Sequence, residues 1–99
     1  MRESMTLDQY DTYVYSYDYI AKRSKLHLAV TLGGEIGEVL GEVDKENRPG
    51  GEDRNIKIAY ELGDCLFGIA ALAAKCGYNL EEIAKMNINK LDYRHGVNA

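Results

Sequence analysis

Four carboxylates in two short phrases are the residues of this 99-residue chain best placed to do chemistry. Glu35-Ile36-Gly37-Glu38 and Glu61-Leu62-Gly63-Asp64 both read acid, aliphatic, glycine, acid. Spacing of three puts both acids of each phrase on one face of a helix. Bringing ionised carboxylates together at apolar surface costs several kcal/mol unless a counter-charge joins them. A divalent cation supplies that charge more completely than Lys57 or another basic residue. An all-oxygen set of four suits a hard ion, Mg²⁺ or in its place Mn²⁺. No Glu-x-x-His spacing is present, which argues against a di-iron bundle. Solvated surface ion pairs are the competing explanation; it suffices for Glu35 and Glu38 alone but fits the four together poorly.

Helices must position these acids. The only proline, Pro49, sits in Asn47-Arg48-Pro49-Gly50-Gly51-Glu52-Asp53, the clearest loop signal in the chain. It separates a helical pattern from about Leu26 to Glu46 from a second running from about Ile56 to Cys76. Gly77 is placed to close the latter as a C′ residue. Asn79 with Glu82 has capping-box spacing and opens a last helix to about Arg94, and Thr6 with Gln9 opens a first one near Leu7. Tyr10, Tyr13, Tyr15, Tyr17 and Tyr19 alternate partly like a strand. No second strand is available to pair with them, so they are assigned to the first helix. The expectation is an all-α, four-helix-bundle-like fold whose two long central helices pack antiparallel and so bring both acid pairs to one spot.

On a helical wheel, Leu28, Leu32, Ile36, Val39, Leu40 and Val43 span an arc of roughly 120° that should face the core. Glu35, Glu38 and Glu42 flank one edge of it within about 60° of one another. Glu42 is read equally well as a further or outer metal contact or as part of a solvated face. The opposite flank carries Gly33, Gly37 and Gly41, which together cost on the order of 3 kcal/mol of helix propensity. Such a stripe is read as close approach of another backbone or a ligand, the competing explanation being a merely weak helix in a tolerant protein. Ile58, Leu62, Cys65, Leu66, Phe67, Ile69, Ala70, Leu72 and Ala73 cover so much of the second central helix that it should be largely buried, with Glu61 and Asp64 set into it. On the last helix Asn87, Lys90 and Arg94 share a face beside Leu80, Ala84 and Leu91. They suit polyphosphate, although a basic last turn also complements the helix dipole.

Composition bounds the rest. Apolar residues make 45% and charged residues 28% of the chain, ordinary for a folded protein and read here as one domain, 1–99, with its motif-bearing core at about 26–94. A net charge of −4 argues against a nonspecific nucleic-acid or anionic-membrane surface. Cys65 and Cys76 are about 16 Å apart along one helix, too far for a disulfide, and both fall on its apolar side as inert core thiols. With no apolar signal core and no membrane-length apolar run, a cytoplasmic location is expected. His27 and His95 have no ligand-spaced partners and read as surface or helix-end residues.

The acid phrases, with Leu32-Gly33-Gly34-Glu35-Ile36-Gly37-Glu38-Val39, Glu61-Leu62-Gly63-Asp64-Cys65-Leu66, and Leu80-Glu81-Glu82-Ile83 through Asn87, Lys90, Leu91 and Arg94, resemble the MazG-like nucleotide pyrophosphohydrolases. These form an all-α NTP pyrophosphatase superfamily. The family pattern is Glu-x-x-Glu, a gap, then Glu-x-x-Asp, and here 22 residues separate the pairs. The resemblance implies hydrolysis of a nucleoside triphosphate to monophosphate and pyrophosphate, with Mg²⁺ on Glu35, Glu38, Glu61 and Asp64. One of these carboxylates can accept the water's proton, and Glu35 is the choice here. The resemblance also implies phosphate, sugar or base contacts from Asn87, Lys90 and Arg94, and a homodimer or homotetramer with the site between subunits. Many relatives carry a further Glu just before the first motif Glu; here that place is Gly34, so if it holds the base in them, the role is vacant or taken by another group.

Two non-enzymatic readings compete: a metal-stabilised helical module that binds nucleotides without turnover, and an acidic interaction protein. The second predicts acids spread over exposed faces and ranks last. The tyrosine-rich segment is read mainly as core packing, with base stacking or an interface as its other uses.

Overall fold

The computed structural model describes residues 4–96 and, among them, five helices with no strand: α1 (Leu7–Tyr15), α2 (Tyr19–Lys22), α3 (Lys25–Glu46), α4 (Asn55–Lys75) and α5 (Leu80–Arg94). The helix ends follow local chemistry. Gln9 N–H donates to Thr6 Oγ1 at 3.1 Å while Thr6 N–H donates to the Gln9 side chain at 2.8 Å. The same reciprocal box joins Asn79 and Glu82 at the start of α5. Ser24, not singled out in the sequence, caps α3 by accepting from His27 N–H at 3.0 Å. Gly77 ends α4 with φ +86°; its N–H bonds Ala74 C=O and Tyr78 N–H bonds Ala73 C=O, a Schellman closure.

The tyrosine segment is not one helix. α1 stops at Tyr15, and the Ser16 hydroxyl donates to the Tyr13 carbonyl at 2.6 Å, drawing off a backbone acceptor of the last turn. After a turn the chain makes only the single short helix α2. Nor are the rings mainly core. Tyr10 packs against the buried cluster, but Tyr13, Tyr15 and Tyr17 are each exposed at the surface; the Tyr19 side chain lies outside the described residues.

α3 and α4 form the most extensive pairing, and they run antiparallel as expected: Leu32 meets Gly68, and Glu42 meets Arg54. The buried cluster of Val14, Ile20, Leu28, Ala70, Ala71 and Leu80 sits where α1, α2 and the start of α5 close over the C-terminal half of α4. Elsewhere the expected core does not close within one chain. Leu28 is buried and Leu32 and Val39 are half-buried, but Ile36, Leu40 and Val43 are exposed, Leu40 by 66%. On α4, Ile58, Phe67 and Leu72 are half-buried, whereas Leu62, Leu66 and Ile69 are exposed. On α5 only Leu80 is buried; Ala84 and Leu91 are exposed. The reason is coverage. α3 has α4 as its principal neighbour, and α5 meets α1 and α4 only over limited stretches. The radius of gyration, 16.1 Å, exceeds the about 13 Å typical of a closed domain this size. Among the described residues, no helix is long and apolar enough to cross a membrane.

Candidate metal centre

Antiparallel pairing of α3 and α4 brings the two acid phrases side by side. Glu35, Glu61 and Asp64 each place a carboxylate oxygen within 4.8 Å of the other two, the one such cluster of acids, histidines or cysteines among the described residues. Glu35 and Glu61 are half-buried, while Asp64 is exposed rather than sunk in apolar surface. Asp64 nevertheless faces α3, where it lines a shared cavity with Leu28, Thr31 and Glu35. Glu38 is exposed and does not join the close trio, although its charge acts on Glu61.

The electrostatics are those of an uncompensated acid set. Partial burial, then the negative charges of Asp64, Glu38, Glu35 and Glu42, push the Glu61 carboxyl above its ordinary value. Every charge moving it is acidic. A hard divalent cation fits this donor set, because oxygens already gathered are its preferred ligands and their repulsion is what it relieves. Two neighbours feel the same field: burial first, then Asp64, raises the Tyr10 phenol, and burial followed by Glu35, Asp64 and Glu61 raises the Cys65 thiol. Cys65 is therefore a buried, protonated thiol. Cys76 is free too but exposed, contrary to expectation, because it lies at the end of α4 beyond the packed stretch.

A small cavity of about 100 Å³ adjoins the acids, lined by Leu28, Thr31, Glu35, Asp64, Phe67, Gly68 and Ala71. Tyr17 stands edge-on to Phe67 with centroids 5.4 Å apart, and Tyr13 edge-on to Tyr17 with their hydroxyls 2.9 Å apart. Asn87, Lys90 and Arg94 are exposed along the outer part of α5 and are not among the groups acting on Glu61. His27 and His95 are exposed at the ends of α3 and α5.

Two features escaped sequence reasoning. Asp11 is 3% exposed, with Oδ2 accepting the Leu80 N–H and the Tyr15 phenol standing beside the carboxylate. Its place three before Val14 on the inner face of α1 was the readable signal. The other is Arg54, in the loop, whose Nε–H donates to Glu42 Oε2 at 2.7 Å. That bond first, then the charges of Arg54 and Lys45, hold the Glu42 carboxyl below its ordinary value despite its partial desolvation. Glycines at 33, 37 and 41 would each admit a Cβ with nothing within 4 Å, so nothing in the single chain approaches them closely. Two glycines are required by packing: a Cβ at Gly51 would run into the backbone carbonyls of Glu46 and Lys45, and one at Gly68 would lie 3.1 Å from Leu32 Cδ1.

No curated protein and no solved structure matches the chain. The family model for the MazG nucleotide pyrophosphohydrolase domain matches residues 23–97, a span that holds both acid phrases, the Arg54 loop and α5, and on that match the chain belongs to the MazG family.

Proposed function

We propose that this chain hydrolyses a nucleoside or deoxynucleoside triphosphate to the monophosphate and pyrophosphate, in a reaction that requires Mg²⁺ and accepts Mn²⁺. The observation that carries this reading is the convergence of Glu35, Glu61 and Asp64 within 4.8 Å, from two facing helices of a nucleotide pyrophosphohydrolase family member. Glu38, one turn along α3 from Glu35 and close enough to act on Glu61, completes the set that would hold the ion. When bound, Mg²⁺ supplies neutralisation of the phosphate charge and acidifies a water beside it.

The chain's own groups do the rest. Glu35, half-buried at the edge of the cavity, accepts the proton of the attacking water. Leu28, Phe67 and Ala71 keep the far wall of that cavity apolar, limiting access of competing water to the reacting end. Asn87, Lys90 and Arg94 bind phosphate, sugar or base, with the Arg guanidinium suited to two phosphate oxygens at once.

A homo-oligomer, dimer or tetramer, is part of this reading. The exposed Ile36, Leu40 and Val43 on α3 and Leu62 and Leu66 on α4 lie along the acid-bearing pair. A cytoplasmic location belongs with a nucleotide substrate of this kind.

Product analysis across the common NTPs and dNTPs, with dUTP, tests the activity, beside an Asp64→Ala control. Monophosphate and pyrophosphate, lost with EDTA and in the variant, are the expected result. No turnover with either Mg²⁺ or Mn²⁺ from a folded protein would sink it. Light scattering of the same preparation should give a mass of at least two chains.

A further inference from the structure

The acid row of α3 does not end at the metal centre. Glu42 lies four residues beyond Glu38 and seven beyond Glu35, on the same face, so it points along the same α3–α4 seam. It acts electrostatically on Glu61, and its side chain is only 15% exposed. By position and type it is a fifth candidate ligand. The groups that meet it differ from those around the other acids. Arg54, itself largely buried, reaches back from the start of α4 and bonds Glu42 Oε2 at 2.7 Å, and Lys45 stands 3.6 Å from Oε1. Both Glu42 oxygens therefore face cations, whereas the charges acting on Glu61 are all negative. Arg54 is further fixed through its backbone, whose N–H donates to Glu46 Oε2 at 2.8 Å.

We propose that Arg54 is a positioning residue of the catalytic centre: by pairing with Glu42 it withholds a fifth carboxylate from the metal and keeps that end of the seam open to an anionic polyphosphate. The proposal rests on the reading of Glu35, Glu38, Glu61 and Asp64 as the metal set. Its physical content is charge count. A cation held by four acids retains attraction for a triphosphate; a fifth free acid tightens the ion but repels the substrate. A guanidinium fixed at two points, by side chain and by backbone, removes the fifth acid without removing the helix that carries it.

The test is Mn²⁺ binding followed by calorimetry and by loss of the free-ion electron paramagnetic resonance signal, with no substrate present. Arg54→Met frees Glu42 Oε2, leaving only the exposed Lys45 at 3.6 Å from Oε1, and Mn²⁺ affinity should rise on the order of tenfold with the added ligand charge. Adding Glu42→Gln to that variant should return the affinity to the wild-type value, and Glu42→Gln alone should leave it unchanged. In turnover, Arg54→Met should raise KM for the triphosphate more than it changes kcat, most at low ionic strength. The Glu46 contact uses the backbone N–H and survives the substitution. If Arg54→Met nevertheless fails to fold by circular dichroism, Arg54→Leu, which also has no side-chain donor, carries the same readout. Unchanged Mn²⁺ affinity in the folded Arg54 variant, or affinity lost in Glu42→Gln, overturns this proposal while leaving the metal centre standing. No Mn²⁺ bound by the wild-type chain overturns the metal centre and this proposal together.

Discussion

The backbone N–H of Leu80 donates to the carboxylate of Asp11 at 2.9 Å, a bond that spans 69 residues and is fully enclosed. It lies at the first turn of α5, where free N–H groups and the helix dipole favour an anion, so a buried acid here is a tie between α1 and α5. Burial and the Asp11 charge also raise the Tyr15 phenol, which stays protonated beside it. Asp11→Ala should leave the Leu80 N–H unpaired in a dry site and cost about 2 kcal/mol, lowering the melting temperature by on the order of 10 °C. Asp11→Asn keeps an acceptor oxygen and should lose less than half as much. Equal melting of Asp11→Ala and wild type would show that α5 is held by other means.

Gly68 and Gly37 should respond oppositely to substitution. A side chain at Gly68 drives into Leu32, three residues before Glu35, so Gly68→Leu should destabilise by about 1–3 kcal/mol through overpacking. The same change would spread α3 from α4 and weaken metal binding. At Gly37 a Cβ meets nothing, and within one chain Gly37→Ala should add roughly 1 kcal/mol of helix propensity. Thermal melting of both, with light scattering, separates two roles for the stripe. A Gly37→Ala protein that melts higher and keeps its mass shows a tolerant surface; one that loses mass places a second copy against the glycines.

The contrast between these glycines shows what sequence pattern conveys. Spacing located the stripe at 33, 37 and 41, and the caps at Thr6, Asn79 and Gly77, because these are local, read within one turn of helix. The antiparallel pairing of the acid phrases was legible because a short loop leaves two long helices little choice. Coverage was not. Leu40 on its apolar arc looks the same whether this chain or another buries it. Asp11 and Arg54 were missed because each acts on a partner far along the chain, 69 and 12 residues away. The break at Ser16 was hidden because a serine hydroxyl ends or decorates a helix according to which carbonyl it finds.

Stability of the metal-free protein should depend on pH in two opposing ways. Glu61 is held above its ordinary value, so folding favours its protonated form. Its stabilising contribution is complete below the ordinary carboxylate value and is lost as pH rises through the raised one. Glu42 is held low by Arg54, so its contribution is present above the ordinary value and lost as pH falls through the depressed one. Melting temperature in EDTA should thus peak at mildly acidic pH. Glu61→Gln should raise it at pH 7 and flatten the fall toward neutrality, and Mg²⁺ should do the same for the wild type. A melting temperature at pH 7 that neither change raises would mean that the acids do not repel one another in solution.

A substitution at Gly34 tests where the general base of the proposed reaction resides. Position 34 lies beside Glu35, and its missing Cβ would meet nothing within 4 Å, so Gly34→Glu should fold. The substitution supplies the acid that the family resemblance implies immediately before the first motif Glu. If Glu35 takes the proton, a new carboxylate next to it is redundant, and kcat should stay within about threefold of wild type, because a general base is worth about 10²–10⁴ only once. The double variant Gly34→Glu, Glu35→Gln then stays as slow as Glu35→Gln alone. A rise of about a hundredfold in Gly34→Glu, or recovery in the double variant, would assign the base to position 34 and leave Glu35 a ligand. Mn²⁺ affinity measured on the same proteins separates the two roles, since a base can be moved along α3 without moving the ion, whereas a ligand cannot.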